Sequence, residues 1–165
     1  MIMNMTHYME LLATNQPWNL IIYMAIPVIL AETIAITELV LLFSRNMSGM
    51  VRQINRYTGI VAGIYFVPIF LVLMKNAVIP LTLTGGWRGP ADVIAVLSYL
   101  AGVIPLGGIA LLELGFIGRG LDDTGKMKLH ATFVGIFLVV AHVAMIFGML
   151  NPELLTPGVT HDMEM

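Results

Sequence analysis

Three acidic side chains lie inside stretches of sequence that are otherwise almost entirely apolar. Glu32 and Glu38 fall in the first such stretch, and Glu113 falls in the third. A charged side chain at the centre of a bilayer is penalised by about 2.5–3.5 kcal/mol on insertion scales, so each of these groups needs a partner or a function. Carboxyl groups in this setting typically exchange protons or bind cations, and the sequence predicts that chemistry here.

Two histidines accompany the acids in the fourth apolar stretch, His142 in its middle and His130 near its beginning. Counting about 1.5 Å per helical residue from the flanking charges places these five groups at two depths. We therefore predict two layers of proton- or cation-binding residues, Glu32 with His142, and Glu38 with Glu113 and His130. A purely structural role, with the carboxyl protonated or hydrogen-bonded to a neighbour, is the alternative for Glu113.

The chain has 13 methionines and no cysteine, which determines how it could bind a metal. Without thiolates, a metal must be held by carboxylates, imidazoles or thioethers, and thioethers with imidazole suit Cu(I). His142, Met145 and Met149 fall on one stripe of the fourth stretch, and His7 lies among methionines near the N-terminus. These four are candidate metal ligands. The alternative is that methionine serves as a flexible apolar filler.

The elements that must position these groups are four apolar stretches, at about residues 19–44, 57–74, 93–117 and 129–150. Each is long enough to cross a hydrocarbon layer of about 30 Å as a helix. Hydrophobic residues make up 58% of the chain and charged residues 11%, with a mean hydropathy of +0.90, which is not typical of a soluble domain. We predict a single all-α domain over residues 1–165, a polytopic membrane four-helix bundle with a short amphipathic segment before it.

A weak internal repeat suggests an alternative description of that bundle. Glu38-Leu39 in the first stretch recurs 75 residues later as Glu113-Leu114 in the third. Two tandem two-helix units would produce this pattern, and such units occur in transporters. Apolar sequence of low complexity also produces such matches by chance, so both interpretations stay open.

The basic residues predict the orientation of the helices. Six of them lie in the loops between the first and second stretches and between the third and fourth: Arg45, Arg52, Arg56, Arg119, Lys126 and Lys128. The loop between the second and third stretches holds only Lys75 and Arg88, and the tails hold none. By the positive-inside rule both termini lie outside the cytoplasm, which is the periplasm for an inner-membrane protein.

Composition and missing motifs exclude several classes of function. A net charge of −2 with eight Lys and Arg leaves no basic stripe for nucleic acid. The lack of cysteine excludes disulfides, iron–sulfur clusters and covalent haem attachment through cysteine. Phosphate-binding loops, nucleophile elbows and zinc-protease motifs are also missing from the sequence.

We therefore expect an inner-membrane, permease-like protein that binds a proton or metal cation at its Glu and His residues. Because four helices are few for a transporter, we expect a homo-oligomer in the lipid bilayer. One alternative is a membrane redox protein that carries haem b or a non-haem transition metal. Another is an accessory subunit of a larger membrane complex.

Overall fold

A computed structural model describes residues 5–45 and 48–155, and within these ranges the regular structure is helical. A short helix, α1 (His7–Ala13), precedes four helices that are long and apolar enough to cross a membrane. These four are α2 (Trp18–Ser44), α3 (Met50–Thr84), α4 (Pro90–Glu113) and α5 (Asp123–Met149). A single 3-10 turn, Pro152–Leu155, follows them. The predicted all-α, four-helix membrane bundle is confirmed.

Three helices have bounds that differ from those predicted by three residues or more. The fourth was expected from residue 129 but begins at Asp123, because Asp122 caps its first turn by accepting a hydrogen bond from the Gly125 N–H. The second was expected over residues 57–74 but runs from Met50 to Thr84, because Asn55 in its first turns is buried against α2 and a π-helical segment, Met74–Val78, carries it past Lys75. The third was expected to reach residue 117 but ends at Glu113, since Gly115 and Gly118 adopt positive φ angles of 78° and 71°. Such angles favour glycine and end a right-handed helix.

Contact between α3 and α4 depends on two glycines one helical turn apart. A Cβ atom at Gly63 would lie 2.4 Å from the Cβ of Ala110 and 2.6 Å from the carbonyl oxygen of Leu106. A Cβ atom at Gly59 would lie 2.7 Å from Cγ2 of Ile109. Small residues at this spacing let two membrane helices approach closely. The approach holds the start of α3 against the end of α4.

An aromatic core fills the middle of the bundle. The ring of Phe66 on α3 packs against Tyr99 on α4 and Phe137 on α5, with centroid distances of 5.3 and 6.1 Å. Tyr99 in turn packs on Tyr8 of α1 at 5.1 Å. These contacts join α1, α3, α4 and α5 in the middle of the bundle.

We call the end at which α2 meets α3 and α4 meets α5 the basic end, after its six residues Arg45, Arg52, Arg56, Arg119, Lys126 and Lys128. The short helix α1 docks at the opposite end. There Thr6 accepts a hydrogen bond from the Met9 N–H at 3.3 Å and donates one to the carbonyl oxygen of Gly148 at 2.7 Å. Burial of the Tyr8 ring, which α1 packs against Tyr99 of α4, raises the pKa of Tyr8 to about 12.

Candidate functional site

A buried Glu–His pair lies at the basic end of the bundle. Nδ1 of His130 on α5 is 2.7 Å from Oε2 of Glu38 on α2. The two residues are only 2% and 3% exposed. Among the described residues, Oε1 of Glu38 and Nε2 of His130 have no hydrogen-bond partner. Polar atoms left in this state are uncommon in folded proteins and require an explanation.

Glu113 lies beside this pair but has a different environment. Nη1 and Nη2 of Arg52 donate to its two carboxylate oxygens at 2.8 and 3.0 Å, which is a bidentate ion pair. Nε of Arg56 is 3.9 Å from the same carboxylate, and Nη2 of Arg56 donates to the Glu113 carbonyl at 3.5 Å. Because Glu113 ends α4, where the helix dipole is negative, these cations are needed to stabilise its charge.

A contact between His130 and Glu113 joins the Glu38–His130 pair to the Glu113–Arg52 ion pair. Nε2 of His130 is 3.5 Å from Oε1 of Glu113, close enough for electrostatic attraction but without the alignment of a hydrogen bond. The imidazole therefore lies between Glu38 and Glu113. The structure brings together the three residues of the predicted inner layer, and their role in binding a proton or cation stays a prediction.

Asn55 fixes the arginine that compensates Glu113. Its side chain is fully buried and donates from Nδ2 to the carbonyl oxygen of Ile34 at 3.2 Å and to Oγ1 of Thr37 at 3.0 Å. Its Oδ1 accepts a hydrogen bond from Nη1 of Arg52 at 3.2 Å. Asn55 thus ties the start of α3 to α2 and orients Arg52 toward Glu113.

Charge balance sets Glu38 and His130 apart from Glu113. Arg52 compensates the charge of Glu113 and Arg56 lies 3.9 Å from the same carboxylate, whereas Glu38 has only His130 as a partner. A net charge in a buried site is strongly unfavourable, so Glu38 and His130 are the two groups whose charges must balance each other.

A small cavity at the basic end reaches this pair. It has a volume of about 80 Å³ and is lined by Arg52, Asp123, Lys126, Met127 and His130. One water molecule occupies about 30 Å³ in the liquid, so the cavity has room for water beside His130. His130 is therefore the member of the pair that solvent at the basic end reaches first.

The structure does not bring together the predicted outer layer, Glu32 and His142, inside the bundle. Both side chains are exposed on the outer surface, Glu32 on α2 and His142 on α5. Nδ1 of His142 is 2.6 Å from the carbonyl oxygen of Leu138 on its own helix. Each residue lies about 120° around its helix from the buried residue of the pair, Glu38 or His130, which turns it away from the interior.

The four predicted metal ligands do not form one site. His7 lies at the opposite end, where its Nδ1 is 2.6 Å from Oδ2 of Asp92. His142 faces outward, whereas Met145 lines a cavity of about 210 Å³ beside α1. Four other methionines line the same cavity: Met5, Met9, Met24 and Met149. Across residues 5–45 and 48–155, no group of three or more His, Asp or Glu side chains is placed to hold a metal ion.

Within residues 5–45 and 48–155, haem b also lacks a pair of axial ligands. His130 lies between two carboxylates, and His142 is on the outer surface of the same helix. A haem needs two ligands on opposite sides of one plane, or one ligand facing an open pocket. The described residues do not provide this arrangement.

Two groups of residues were missed from the sequence. Arg52, Asn55 and Arg56 have the i, i+3, i+4 spacing of one helix face, a signal that they act together. From the sequence, the two arginines were counted only as loop charges and Asn55 was not included. Asp92 is fully buried and accepts hydrogen bonds from the backbone N–H groups of His7 and Arg88 at 2.6 and 3.2 Å. An acid in the first turn of α4, just after Pro90, is the signal that could have found it.

Comparison with known proteins places the chain in a family. Residues 3–164 match the sequence profile of the family of unknown function DUF6803. The chain belongs to this family. Neither a curated protein nor a solved structure matches it. Membership in DUF6803 assigns no activity, so function must be argued from the site at the basic end.

Proposed function

We propose that this protein is a permease-like membrane protein that takes up and releases a proton at the Glu38–His130 pair. One observation carries the proposal: a buried carboxylate and imidazole are 2.7 Å apart, each has one unpartnered polar atom, and a cavity reaches the imidazole from the basic end. Proton exchange needs this combination of a shared proton, low polarity and a route to water.

A proton fits this site better than a metal cation. Both oxygens of Glu113 are bonded to Arg52, which leaves only one carboxylate and one imidazole free to act. A metal ion would also bring positive charge next to a guanidinium and an imidazole, where like charges repel. The pair can gain or lose a single proton without rearranging Arg52.

Transport would require the bundle to change conformation. A second cavity, of about 350 Å³, opens at the opposite end between α1, α3 and α4, and its lining includes His7, Glu10 and Arg88. The aromatic core around Phe66 separates it from the cavity beside His130. Alternating access requires a site on each side of a closed centre. In this proposal the cavity of about 350 Å³ binds a solute and the cavity beside His130 exchanges the proton.

The basic end faces the cytoplasm in this proposal, and both termini lie outside it, as the six-to-two distribution of basic residues indicates. The proposed host membrane is the cell inner membrane. The pair at Glu38 and His130 would exchange its proton with the cytoplasmic side. The protein would act as a homo-oligomer or within a larger membrane complex.

Proton flux into proteoliposomes tests the proposal. We expect acidification driven by an imposed membrane potential in the wild type, and its loss in Glu38→Gln and in His130→Gln, because neither amide can exchange a proton. Glu153→Gln, which changes an exposed carboxylate outside the membrane helices, is the matched control and should conduct normally. Normal flux in Glu38→Gln would overturn the proposal.

A second candidate function is capture of a soft metal ion at the opposite end. Five methionines, Met5, Met9, Met24, Met145 and Met149, line the cavity of about 210 Å³ there. Thioethers select Cu(I) and Ag(I) over harder ions. Binding of Ag(I) by the purified protein, reduced when Met24 and Met145 are both changed to Leu, would favour this candidate; equal binding by the double variant would eliminate it.

A further inference from the structure

Glu32 and His142 are ionisable residues on the outer surface of membrane-spanning helices. Each is surrounded on its helix by exposed apolar residues, such as Ile29 and Ile36 on α2 and Val139 and Ile146 on α5. Within the described chain Glu32 has no ion pair, and the only bond of the His142 ring is to Leu138 on its own helix. Polar groups at membrane depth almost always face protein or water rather than lipid. Something other than lipid should therefore cover this surface.

The two residues face the same side of the molecule. At about 100° per residue, Glu32 lies about 120° around α2 from Glu38, and His142 lies about 120° around α5 from His130. The contact between Glu38 and His130 joins the two helices, which run in opposite directions. Because the two helices are antiparallel, a rotation of 120° about α2 and one of 120° about α5 have opposite senses when viewed from one end of the bundle. Both side chains therefore turn to the same outer face of the α2–α5 pair.

Depth also brings the two side chains toward one another. Six residues separate Glu32 from Glu38 and twelve separate His142 from His130, so the two Cα atoms differ in depth by about 9 Å at 1.5 Å per residue. Side chains on a helix lean toward its N-terminus. Glu32 therefore leans toward the opposite end and His142 toward the basic end, as the contact of His142 with Leu138 shows. The leaning reduces the difference in depth.

We propose that the outer face of α2 and α5 is a homodimer interface, in which Glu32 of each copy pairs with His142 of the other. A two-fold axis along the membrane normal keeps every residue at its own depth and places α2 of one copy against α5 of its partner. The face carries one acid and one base, so it is complementary to itself. The interface does not depend on the proton site; it specifies which surface would form the homo-oligomer expected in the proposed function.

The extent of exposure agrees with a second copy as the occupant. Of the four spans, α2 and α5 have the smallest buried share of their most apolar segments, 17% and 22%, against 56% for α4. Two identical chains that met on this face would enclose both carboxylates and both imidazoles. They would form two equivalent ion pairs and leave neither group against lipid.

Cross-linking of introduced cysteines with a short bismaleimide tests the interface. The chain has no cysteine of its own, so only the introduced residues can react. Ile29 and Val139, 60% and 63% exposed, each lie nine residues from the Glu38–His130 contact and so share a depth. Both lie about 60° beyond Glu32 and His142 on their helices, at the edge of the proposed face, so a short bismaleimide is used to link them. Co-expression of differently tagged Ile29→Cys and Val139→Cys chains should give a cross-linked dimer in native membranes. Val67→Cys, exposed on α3 and paired with the same Ile29→Cys chain, is the matched control and should give none.

Charge variants test the pairing itself. In the cross-linking background, Glu32→Gln and His142→Gln should each lower the yield of linked dimer at least threefold. The exchange of both residues in one chain, Glu32→His with His142→Glu, should restore it, since every copy again offers one acid and one base. A single-chain mass for the unmodified protein in native mass spectrometry, linking to a different protein, or equal linking through Val67→Cys would overturn the proposal.

Discussion

Glu38 and Glu113 lie in one buried cluster, but their contacts give them different chemical properties. Glu113 has a bidentate ion pair with Arg52. Glu38 has only His130 as a partner and keeps one unpartnered oxygen. In the proposed function the exchangeable proton therefore belongs to Glu38 and His130, while Glu113 stays paired with Arg52 on the far side of the imidazole.

Removal of Arg52 should show how much its ion pair with Glu113 contributes to the stability of the protein. We expect Arg52→Gln to lower the free energy of unfolding by about 3 kcal/mol, because an unpaired carboxylate would stay buried. The double variant Arg52→Gln with Glu113→Gln should recover most of the loss. Equilibrium unfolding in mild detergent measures both, with Lys128→Gln, an exposed basic residue on α5, as the control. A double variant no more stable than the single one would contradict the pairing.

At the scale of the elements, the close contact of α3 with α4 positions the site. Gly59 lies on the same face as Gly63, and a Cβ atom there would be 3.4 Å from Nε2 of His130. The glycines thus let α3 pass so near α4 that Arg52, about two to three turns earlier on α3, meets Glu113 at the end of α4. Helix packing and the charged cluster depend on the same surface.

Two matched glycine substitutions test that contact. Gly63→Ala should destabilise the bundle by about 1–3 kcal/mol, because its new Cβ would overlap Ala110 and the Leu106 carbonyl. Gly107→Ala, on α4, meets no atom within 4 Å and should leave the stability unchanged or raise it by up to about 1 kcal/mol. Thermal unfolding of the two variants compares them directly. If Gly63→Ala were as stable as the wild type, α3 and α4 could not be packed this closely.

Docking of α1 should depend on alkaline pH through Tyr8. Burial raises the pKa of Tyr8 to about 12, above the ordinary value of 10.0, so the folded state holds the phenol proton more tightly than the unfolded state. The resulting stability is complete below pH 10 and is lost as the pH rises toward 12. Unfolding measured across this range should show the loss in the wild type and a smaller loss in Tyr8→Phe. If the stability of the two proteins fell equally with pH, the Tyr8 ring would not be buried by the docking of α1.

For the whole molecule, sequence reasoning predicted depth much better than rotation. Apolar stretches of known length located four helices, and counting along them placed Glu38, Glu113 and His130 at one level. A helix that is apolar on all sides gives no signal for its facing direction, so the sequence predicted the depth of Glu32 and His142 but not the direction that they face. The partners of Glu113 were missed because Arg52 and Arg56 lie before the predicted start of the second helix at residue 57.

Orientation in the membrane is a further property of the whole chain. Because six basic residues lie at the basic end and two lie elsewhere, that end should face the cytoplasm. A reporter that is active only in the cytoplasm should stay silent when fused after residue 165, and should be active when inserted between α4 and α5. Activity of the terminal fusion would reverse the orientation and move the cavity beside His130 to the outer side.

Infrared difference spectroscopy of the protein in membranes, between low and high pH, tests most directly whether Glu38 and His130 share an exchangeable proton. We predict a carboxylic acid band that appears on acidification in the wild type and is lost in Glu38→Gln. The band should persist in the variant that combines Arg52→Gln with Glu113→Gln, in which the fixed ion pair is removed and the Glu38–His130 pair is intact. A band that survives in Glu38→Gln and disappears in the double variant would assign the proton to Glu113 and contradict the proposed site.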